Sequence, residues 1–228
     1  MRYLLTAFIA LVAGFGGAAL FSLTGLGHAQ TRDYLVGNPD ILAEMARAYE
    51  SEQARDQLAD ISGAIETPFD GAVLGNPNGS KTLVKFTDYG CGFCRSSVAD
   101  IDRLIAQDPD LRIVVREWPV FPGSEEAARM GLAAARQGKF DAFYHAMFGY
   151  GRPTPDNVAA VARDAGLDLE AARAFASSDE AKAELARNAG YARQIGFSGT
   201  PSWVFGDQPF EGAVGYDRLA RIVGRSES

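Results

Sequence analysis

The chain contains 228 residues, of which 47% are hydrophobic and 22% are charged, as is typical of a globular protein with one domain of moderate size and additional segments. Its net charge of -7 argues against a nucleic-acid partner, because binding to phosphates needs a basic surface. No internal repeat or low-complexity tract stands out in the sequence. We therefore expect a folded domain and no nucleic-acid binding.

The N-terminus has the pattern of an export signal. Arg2 supplies a positive charge, residues 3–26 contain no charged side chain, and Gly-His-Ala at 27–29 offers small residues to a signal peptidase. The apolar stretch is also long enough to span a bilayer. Residues 1–29 are therefore predicted to be a signal peptide or a membrane anchor, with cleavage near Ala29 favoured. Both alternatives place the rest of the chain in the periplasm or another extracytoplasmic compartment, where disulfides persist.

Residues 30–64 are predicted to form an N-terminal helical extension. Asn38 followed by Pro39 is typical of a helix start, and the helix is expected to continue to about Leu58. Its apolar side chains make only a narrow stripe on one face, which is too little for a helix that stands alone. The helix is therefore expected either to dock on the domain or to form a homo-oligomer through residues 38–58.

The next part of the chain alternates between strand and helix patterns. Apolar, β-prone runs occur at residues 72–74 and 82–87, and Asp-Pro-Asp at 108–110 stops the following helix before a third run at 111–116. A strand, a helix and a strand of this size form a crossover that places the two strands in parallel. We therefore predict an open α/β sheet, in which sites lie at the carboxyl ends of the strands.

The only two cysteines, Cys91 and Cys94, lie where the second strand gives way to the helix. Cys91 is predicted at the helix N-terminus, where unpaired N–H groups and the helix dipole stabilise a thiolate and lower the pKa of the thiol. Cys94 lies about one helical turn further on, facing the protein. We expect Cys91 to be the nucleophile and Cys94 the resolving thiol, with Gly92 allowing a tight turn and Phe93 forming an exposed apolar surface.

Two cysteines at this spacing could also be half of a zinc site. A structural zinc site usually needs four N or S ligands, and the chain offers only His28 and His145 besides the cysteines. We therefore favour redox chemistry and expect neither a metal nor a cofactor. A copper-handling protein that holds Cu(I) between the two thiolates would use the same residues, and this alternative stays open.

The block from residue 124 to residue 196 has an almost entirely helical composition. Five helices are predicted in it, at residues 124–137, 139–148, 155–165, 168–177 and 179–195. Strand patterns return only afterwards, as a hairpin and then a last helix and a polar tail, at residues 202–205, 209–213, 216–223 and 224–228. The block is therefore predicted to be a helical insertion within one domain.

Three features together resemble the DsbA-like branch of the thioredoxin superfamily. They are FTDYGCGFC at 86–94, the helical insertion, and Gly-Thr-Pro at 199–201 ahead of a strand. The resemblance covers about residues 65–225 and implies an α/β, thioredoxin-like fold with an inserted helical domain behind the N-terminal helical extension. It also implies that Pro201 is cis and faces the cysteines, and that Thr200 influences their chemistry and offers backbone groups to an extended substrate chain.

The same resemblance implies an extracytoplasmic thiol–disulfide oxidoreductase that forms, reduces or isomerises disulfides in exported proteins. Its expected partners are unfolded or misoxidised exported proteins and a membrane redox partner. The helix at 38–58 is similar to the stalk of ScsC and related DsbA-like proteins, some of which oligomerise through it. The direction of the reaction depends on the reduction potential, which the sequence leaves open.

Three further positions carry an expectation. Asp88 is interpreted as a turn or cap residue rather than an acid for the thiolate. His145 is expected to pack within an apolar helical layer rather than to border the active-site cleft. The segment 118–122, Trp-Pro-Val-Phe-Pro, is predicted to bridge the sheet and the helical layer and to line an apolar groove for unfolded substrate.

Overall fold

The computed structural model describes residues 2–23 and 26–224, so parts of the predicted leader and polar tail, at 1, 24–25 and 225–228, lie outside the described residues. The chain divides into two compact units, of which the first ends at Glu52 and the second begins at Gln53. The first unit consists of helices, α1 (Arg2–Leu23), α2 (Leu26–Gly37) and most of α3 (Asp40–Ala59). Helix α3 confirms the helix predicted at 38–58, with a start two residues later.

Helix α1 and the start of helix α2 lie within the predicted leader, residues 1–29. Where the structure describes their side chains, no helix is both long enough and apolar enough to cross a membrane.

The second unit is built on a five-stranded mixed sheet. Its strands are β1 (Val73–Gly75), β2 (Lys81–Thr87), β3 (Leu111–Glu117), β4 (Ser202–Phe205) and β5 (Gln208–Glu211), in the spatial order β1-β3-β2-β4-β5. Strands β2 and β3 are parallel, as predicted, and the other three pairings are antiparallel. The parallel pair is central and buried on both faces, which explains its nearly continuous apolar sequence.

The remaining elements of this unit are helices. A short helix that the sequence pattern did not predict, α4 (Ser62–Glu66), precedes the sheet, and α5 (Gly92–Ser96) and α6 (Val98–Gln107) connect β2 to β3. The five predicted helices of the insertion are all present, followed by the predicted last helix: α7 (Ser124–Arg136), α8 (Phe140–Tyr150), α9 (Pro155–Asp164), α10 (Leu169–Ala176), α11 (Asp179–Ile195) and α12 (Tyr216–Gly224). The thioredoxin-like α/β fold with a helical insertion is confirmed.

The two faces of the sheet carry separate cores. Side chains alternate along the strands, so that Leu83 and Val115 point to one face and Val84 and Val114 to the other. The first face, which we call the thiol face, packs against both cysteines and much of the helical insertion. The second, the opposite face, packs against α4 and the C-terminal end of α11. The active-site residues are therefore supported from the thiol face.

Candidate active site

The loop ahead of the cysteines is held by a buried carboxylate. Asp88 is 1% exposed and accepts hydrogen bonds from the backbone N–H groups of Gly90 (2.6 Å), Val120 (2.6 Å) and Phe121 (2.8 Å). Its own carbonyl accepts the N–H of Cys91 at 3.1 Å. The interpretation of Asp88 as a turn residue is confirmed, and its side chain fixes the approach of the chain to Cys91.

Cys91 occupies the N-cap position of α5, and Cys94 lies on the buried side of that helix. The helix is only five residues long, because the chain bends at Ser97 before α6 begins. Both cysteines are reduced, with Cys91 2% exposed and Cys94 fully buried. The placement of Cys91 at a helix start and of Cys94 facing the protein agrees with the sequence prediction.

The two thiols have opposite acidities. The pKa of Cys91 is lowered to about 5, chiefly by a hydrogen bond from the Cys94 thiol. Burial opposes this shift, whereas the Thr200 side chain and the backbone N–H groups of Cys94 and Phe93 reinforce it. The pKa of Cys94 is raised far above its ordinary value, first by burial and then by the bond to Cys91. At neutral pH the pair therefore holds one thiolate, on Cys91, and one thiol.

A loop far along the chain completes the site. The Thr200-Pro201 peptide bond is cis, as the family resemblance implied. Sγ of Cys91 lies 3.1 Å from the carbonyl oxygen of Thr200, to which it donates a hydrogen bond only when it is protonated. The structure therefore brings the backbone carbonyl of Thr200, which precedes the cis bond to Pro201, against the cysteine that was predicted to be the nucleophile.

The prediction for Phe93 is confirmed, whereas the prediction for Gly92 is not. Phe93 is 69% exposed, which confirms the apolar surface predicted beside Cys91. The tight turn predicted for Gly92 is wrong, because this residue is the first of α5 and its φ is not in the left-handed region. A Cβ built on Gly92 would meet no atom within 4 Å. What the glycine provides is open space next to Cys91.

The residues of segment 118–122 lie in two different environments, and its predicted role as a groove for unfolded substrate stays a prediction. Val120 and Phe121 are 44% and 42% exposed, and the Phe121 side chain lies beside Gly90 in the active-site loop. Trp118 instead packs edge-on against Phe86, with ring centroids 6.3 Å apart, on the opposite face. Val120 and Phe121 thus add exposed apolar surface next to the loop that carries Cys91.

The prediction for His145 is wrong. The ring is about one-third exposed, and its Nε2 lies 2.9 Å from Oδ1 of Asp102 while its Nδ1 lies 2.8 Å from the carbonyl oxygen of Asp141. Burial lowers the pKa of His145, but the interactions with the two aspartates outweigh it, so the pKa is raised overall. His145 therefore forms a surface ion pair between α8 and α6. Among the described residues, no group of three or more His, Cys, Asp or Glu side chains could hold a metal ion.

Comparison with known proteins identifies the fold family. A family model described as "DSBA-like thioredoxin domain" matches residues 82–224, which include both cysteines, the helical insertion and the cis-proline loop. The chain belongs to the DSBA-like thioredoxin domain family. This match confirms the family that the sequence motifs indicated, and with it the class of thiol–disulfide oxidoreductase.

Solved structures of this family are similar over most of their length. A thioredoxin-like oxidoreductase from Silicibacter pomeroyi shares 41% identity with a TM-score of 0.65, covering 68% of this chain and 91% of that chain. A periplasmic thioredoxin-like protein from Salmonella enterica serovar Typhimurium shares 25% identity with a TM-score of 0.66, covering 72% and 94%. A linker-deletion variant of Proteus mirabilis ScsC, at 24% identity and a TM-score of 0.73, covers 88% and 92% and shows the same fold.

Curated relatives of this DSBA-like domain are much longer proteins. The Na(+)/H(+) antiporter NhaA of Herminiimonas arsenicoxydans is 29% identical over 153 residues, which are 65% of this chain and 25% of that protein. NhaA 1 of Mycolicibacterium gilvum is 38% identical over 80 residues, which are 33% of this chain and 13% of that protein. The chain therefore spans a quarter or less of the length of these relatives, and their antiporter activity is not transferred to it.

Two ionisable residues of this DSBA-like site were missed by the sequence analysis. Lys85 and Glu117 are fully buried on the thiol face, on the adjacent strands β2 and β3. Glu117 accepts a hydrogen bond from the hydroxyl of Tyr89 at 2.8 Å, and burial raises its pKa well above the usual range. The signal for Lys85 was present in the sequence, because it is the one charged residue inside the apolar run Leu-Val-Lys-Phe of a buried strand.

Proposed function

We propose that this chain exchanges thiols and disulfides in exported proteins, with Cys91 as the nucleophile and Cys94 as the resolving thiol. One observation carries the proposal: adjacent thiols of opposite acidity lie at a helix start, with the sulfur of Cys91 held 3.1 Å from the Thr200 carbonyl. A thiolate at neutral pH attacks disulfides and is also a good leaving group. The buried thiol beside it is in position to displace whatever Cys91 has captured.

In the oxidising direction the pair starts as a disulfide. A substrate thiolate attacks Sγ of Cys91, the bond between the two cysteines breaks, and Cys94 leaves with the electron pair and takes up a proton. A second substrate thiolate then attacks the substrate sulfur of the mixed disulfide and expels Cys91 as a thiolate. The substrate loses two electrons and gains a disulfide, and the cysteine pair is left reduced for reoxidation by a membrane redox partner.

The acidity of Cys91 favours this direction over reduction. A pKa of about 5 stabilises the reduced form, because that form contains the thiolate and the disulfide form does not. A pair with a stabilised reduced form is a stronger oxidant. Reduction or isomerisation would use the same residues, starting with attack by Cys91 on a substrate disulfide.

The surroundings of Cys91 are suited to an extended, partly apolar substrate chain. We assign substrate contacts to the backbone of Thr200 and Pro201, and apolar contacts to Phe93, which is 69% exposed. The open space over Gly92 leaves room for a substrate backbone to approach the sulfur. Val120 and Phe121 extend this apolar surface on the other side of the loop.

The cellular setting is also part of the proposal. We assign residues 1–29 to a signal peptide or anchor, 30–64 to the helical extension and 65–225 to the catalytic domain, which would work in the periplasm or a similar compartment. The similar Salmonella protein is described as periplasmic, which supports this location. Residues 38–58 are proposed to form a homo-oligomer, since Leu42, Met45 and Tyr49 on this helix are 74%, 60% and 62% exposed.

The test is oxidation of reduced, unfolded ribonuclease A by the disulfide form of the full chain. We expect stoichiometric transfer of disulfides and complete loss of transfer in Cys91→Ser. With scrambled, disulfide-containing ribonuclease as the substrate instead, the reduced Cys94→Ser variant should accumulate mixed disulfides on Cys91, because no second thiol is present to displace the substrate. Tight stoichiometric uptake of Cu(I) with no thiol exchange would contradict the proposal and favour the copper-handling class. The mass of the same preparation in solution tests the homo-oligomer.

A further inference from the structure

Lys85 lies beneath the cysteine pair with an unusually small set of polar partners. Its side chain is fully buried on strand β2, and its Nζ donates to the hydroxyl oxygens of Ser97 (3.0 Å) and Tyr144 (2.7 Å). The rings of Phe148 and Trp203 flank the ammonium, with centroids 5.5 Å and 5.3 Å from Nζ. Aromatic faces and neutral hydroxyls stabilise the cation without neutralising its charge.

The ammonium is connected to the active-site helix through Ser97. The Ser97 hydroxyl accepts from Lys85 and donates to the backbone carbonyl of Cys94 at 2.7 Å. Lys85, Ser97 and Cys94 therefore form one hydrogen-bonded chain, which places the positive charge on the buried side of α5. Cys94 projects to this same side, away from solvent.

The ionisable groups that face Lys85 are few. They are Cys91 and Cys94 from the active-site segment, Asp102 from α6, Glu117 from β3 and Tyr144 from α8. Burial lowers the pKa of Lys85 to about 8, and of the groups that oppose this shift Cys94 acts most strongly. Reciprocally, Lys85 is the strongest of the influences that lower the pKa of Cys94 against its burial. Cys94 and Lys85 are thus, each for the other, the strongest of the influences that favour the charged form.

We propose that Lys85 is a positioning residue for the resolving step, whose buried ammonium stabilises the Cys94 thiolate whenever the disulfide opens or closes. This inference rests on the proposed function, since it concerns the second thiol of the same pair. When a substrate thiolate breaks the Cys91–Cys94 bond, Cys94 keeps the electron pair and becomes an anion in an apolar environment. When the bond re-forms, the Cys94 thiol must first release its proton to water. Opening and re-formation of the disulfide therefore both require a buried Cys94 thiolate, and the ammonium of Lys85 supplies the opposite charge.

The chromogenic disulfide DTNB separates the two thiols without a protein substrate. The reduced full chain should release thionitrobenzoate in two phases, the first from attack by Cys91 and the second from resolution by Cys94. In Lys85→Met we expect the second phase to slow about tenfold or more, since a rise of one unit in the pKa of Cys94 removes nine-tenths of its thiolate. The first phase should change by less than about threefold, because the acidity of Cys91 is set mainly by Cys94 and the helix start.

Lys81→Met is the matched control, since Lys81 lies on the same strand but pairs with Asp108 at 3.1 Å near the surface. Both phases should be as in the unsubstituted chain. If Lys85→Met folds and leaves the second phase unchanged, the inference is overturned while the proposed function stands. If the unsubstituted chain shows no thiol release at all, the proposed function itself fails. These two failures are therefore distinguishable.

The pH profile of the second phase tests the inference without any substitution. Below about pH 8 the rate should rise tenfold per pH unit as the Cys94 thiolate forms, and above it the profile should flatten because Lys85 loses its proton. In Lys85→Met, or in Lys85→Gln if the first variant does not fold, the rise should continue without this plateau. A profile of the unsubstituted chain that keeps rising through pH 8 would contradict the role of the ammonium.

Discussion

Each face of the central sheet contains a buried cation, and the two cations differ in how many hydrogen-bond acceptors surround them. Among the described residues Lys85 and Arg116 are the lysine and arginine that are buried, on the thiol face and the opposite face respectively. Arg116 has a full set of acceptors: the carbonyls of Ala64, Ile65 and Thr67, Oε1 of Glu184 at 3.1 Å and Oδ1 of Asn188 at 3.3 Å. Lys85, by contrast, donates to two neutral hydroxyl oxygens, those of Ser97 and Tyr144.

This difference separates a structural charge from a functional one. Every direction in which the Arg116 guanidinium can donate is occupied, so its charge is neutralised and it ties α4 and α11 to strand β3. The charge of Lys85 is left without a carboxylate bonded to it and faces the thiols instead. A buried charge whose hydrogen bonds and counter-ion are all provided by the protein stabilises the fold. A buried charge without a bonded counter-ion can instead stabilise an opposite charge that forms during a reaction.

The largest difference between the faces should appear in their response to pH. The pKa of Cys91 is about 5 in the folded reduced protein, below the value of about 8.5 for a free cysteine. Its thiolate therefore contributes stability that is fully present above about pH 8.5 and is lost as the pH falls through about 5. Arg116 stays charged over this whole range and should contribute no pH dependence.

Two measurements check this prediction. The rate of alkylation of Cys91 by iodoacetamide should be flat above about pH 6 and fall tenfold per unit below about pH 5. Urea unfolding of the reduced chain should show the matching loss of stability, and Cys91→Ser should not. A midpoint of alkylation near that of free cysteine would remove the main support for an acidic Cys91.

Removal of Arg116 should have the largest effect on stability. Arg116→Met would leave the carbonyls of Ala64, Ile65 and Thr67 without their donor and Glu184 paired only with Arg187, whose side chain is about half exposed. We expect this to cost roughly 3–5 kcal/mol in the free energy of unfolding. Arg112→Met on the same strand is the control, because Arg112 is partly exposed and bonds only to the Thr82 hydroxyl; it should cost less than about 1 kcal/mol. Equal urea midpoints for the two variants would show that Arg116 is not the structural cation.

An added methyl group on the thiol face should have an intermediate effect. A Cβ at residue 131 would lie 2.9 Å from the Tyr89 hydroxyl and 3.0 Å from Oε1 of Glu117, both of which are buried. Gly131→Ala should therefore cost about 1–3 kcal/mol through overpacking. Gly190→Ala, in a helix where the added Cβ meets nothing within 4 Å, should instead gain up to about 1 kcal/mol. Thermal unfolding of both variants decides whether the packing at Glu117 is as close as the structure shows.

The smallest effect is expected at Gly92. Gly92→Ala places a methyl group in open space at the first position of α5, so stability should change by less than about 1 kcal/mol and the first phase with DTNB should be unchanged. Transfer to reduced ribonuclease should slow, because a protein substrate needs the open space that the small probe does not. If the variant slows both reactions equally, Gly92 acts on Cys91 itself and not on access.

The parts of the fold that the sequence predicted are those encoded by neighbouring residues. The helices of the insertion and strands β2 and β3 follow from periodicity and end signals within each segment. Helix α4 was missed because five residues are too few for a period, and its carbonyls are bound by Arg116, which lies about fifty residues further along. The burial of His145 was predicted wrongly because its neighbours Tyr144 and Phe148 form the buried face of α8. His145 follows Tyr144 directly, so its side chain points about 100° away from that face and is partly exposed.

The sequence alone determined where the two thiols lie, their spacing and the strand-to-helix junction that carries them, since all of these lie within a few consecutive residues. The tertiary structure decided what surrounds those thiols: the Thr200 carbonyl, from a loop 109 residues away, and the ammonium of Lys85 beneath Cys94. Charge acts through space and is strongest where water is excluded, so the acidity of a buried thiol depends on neighbours that only folding brings together.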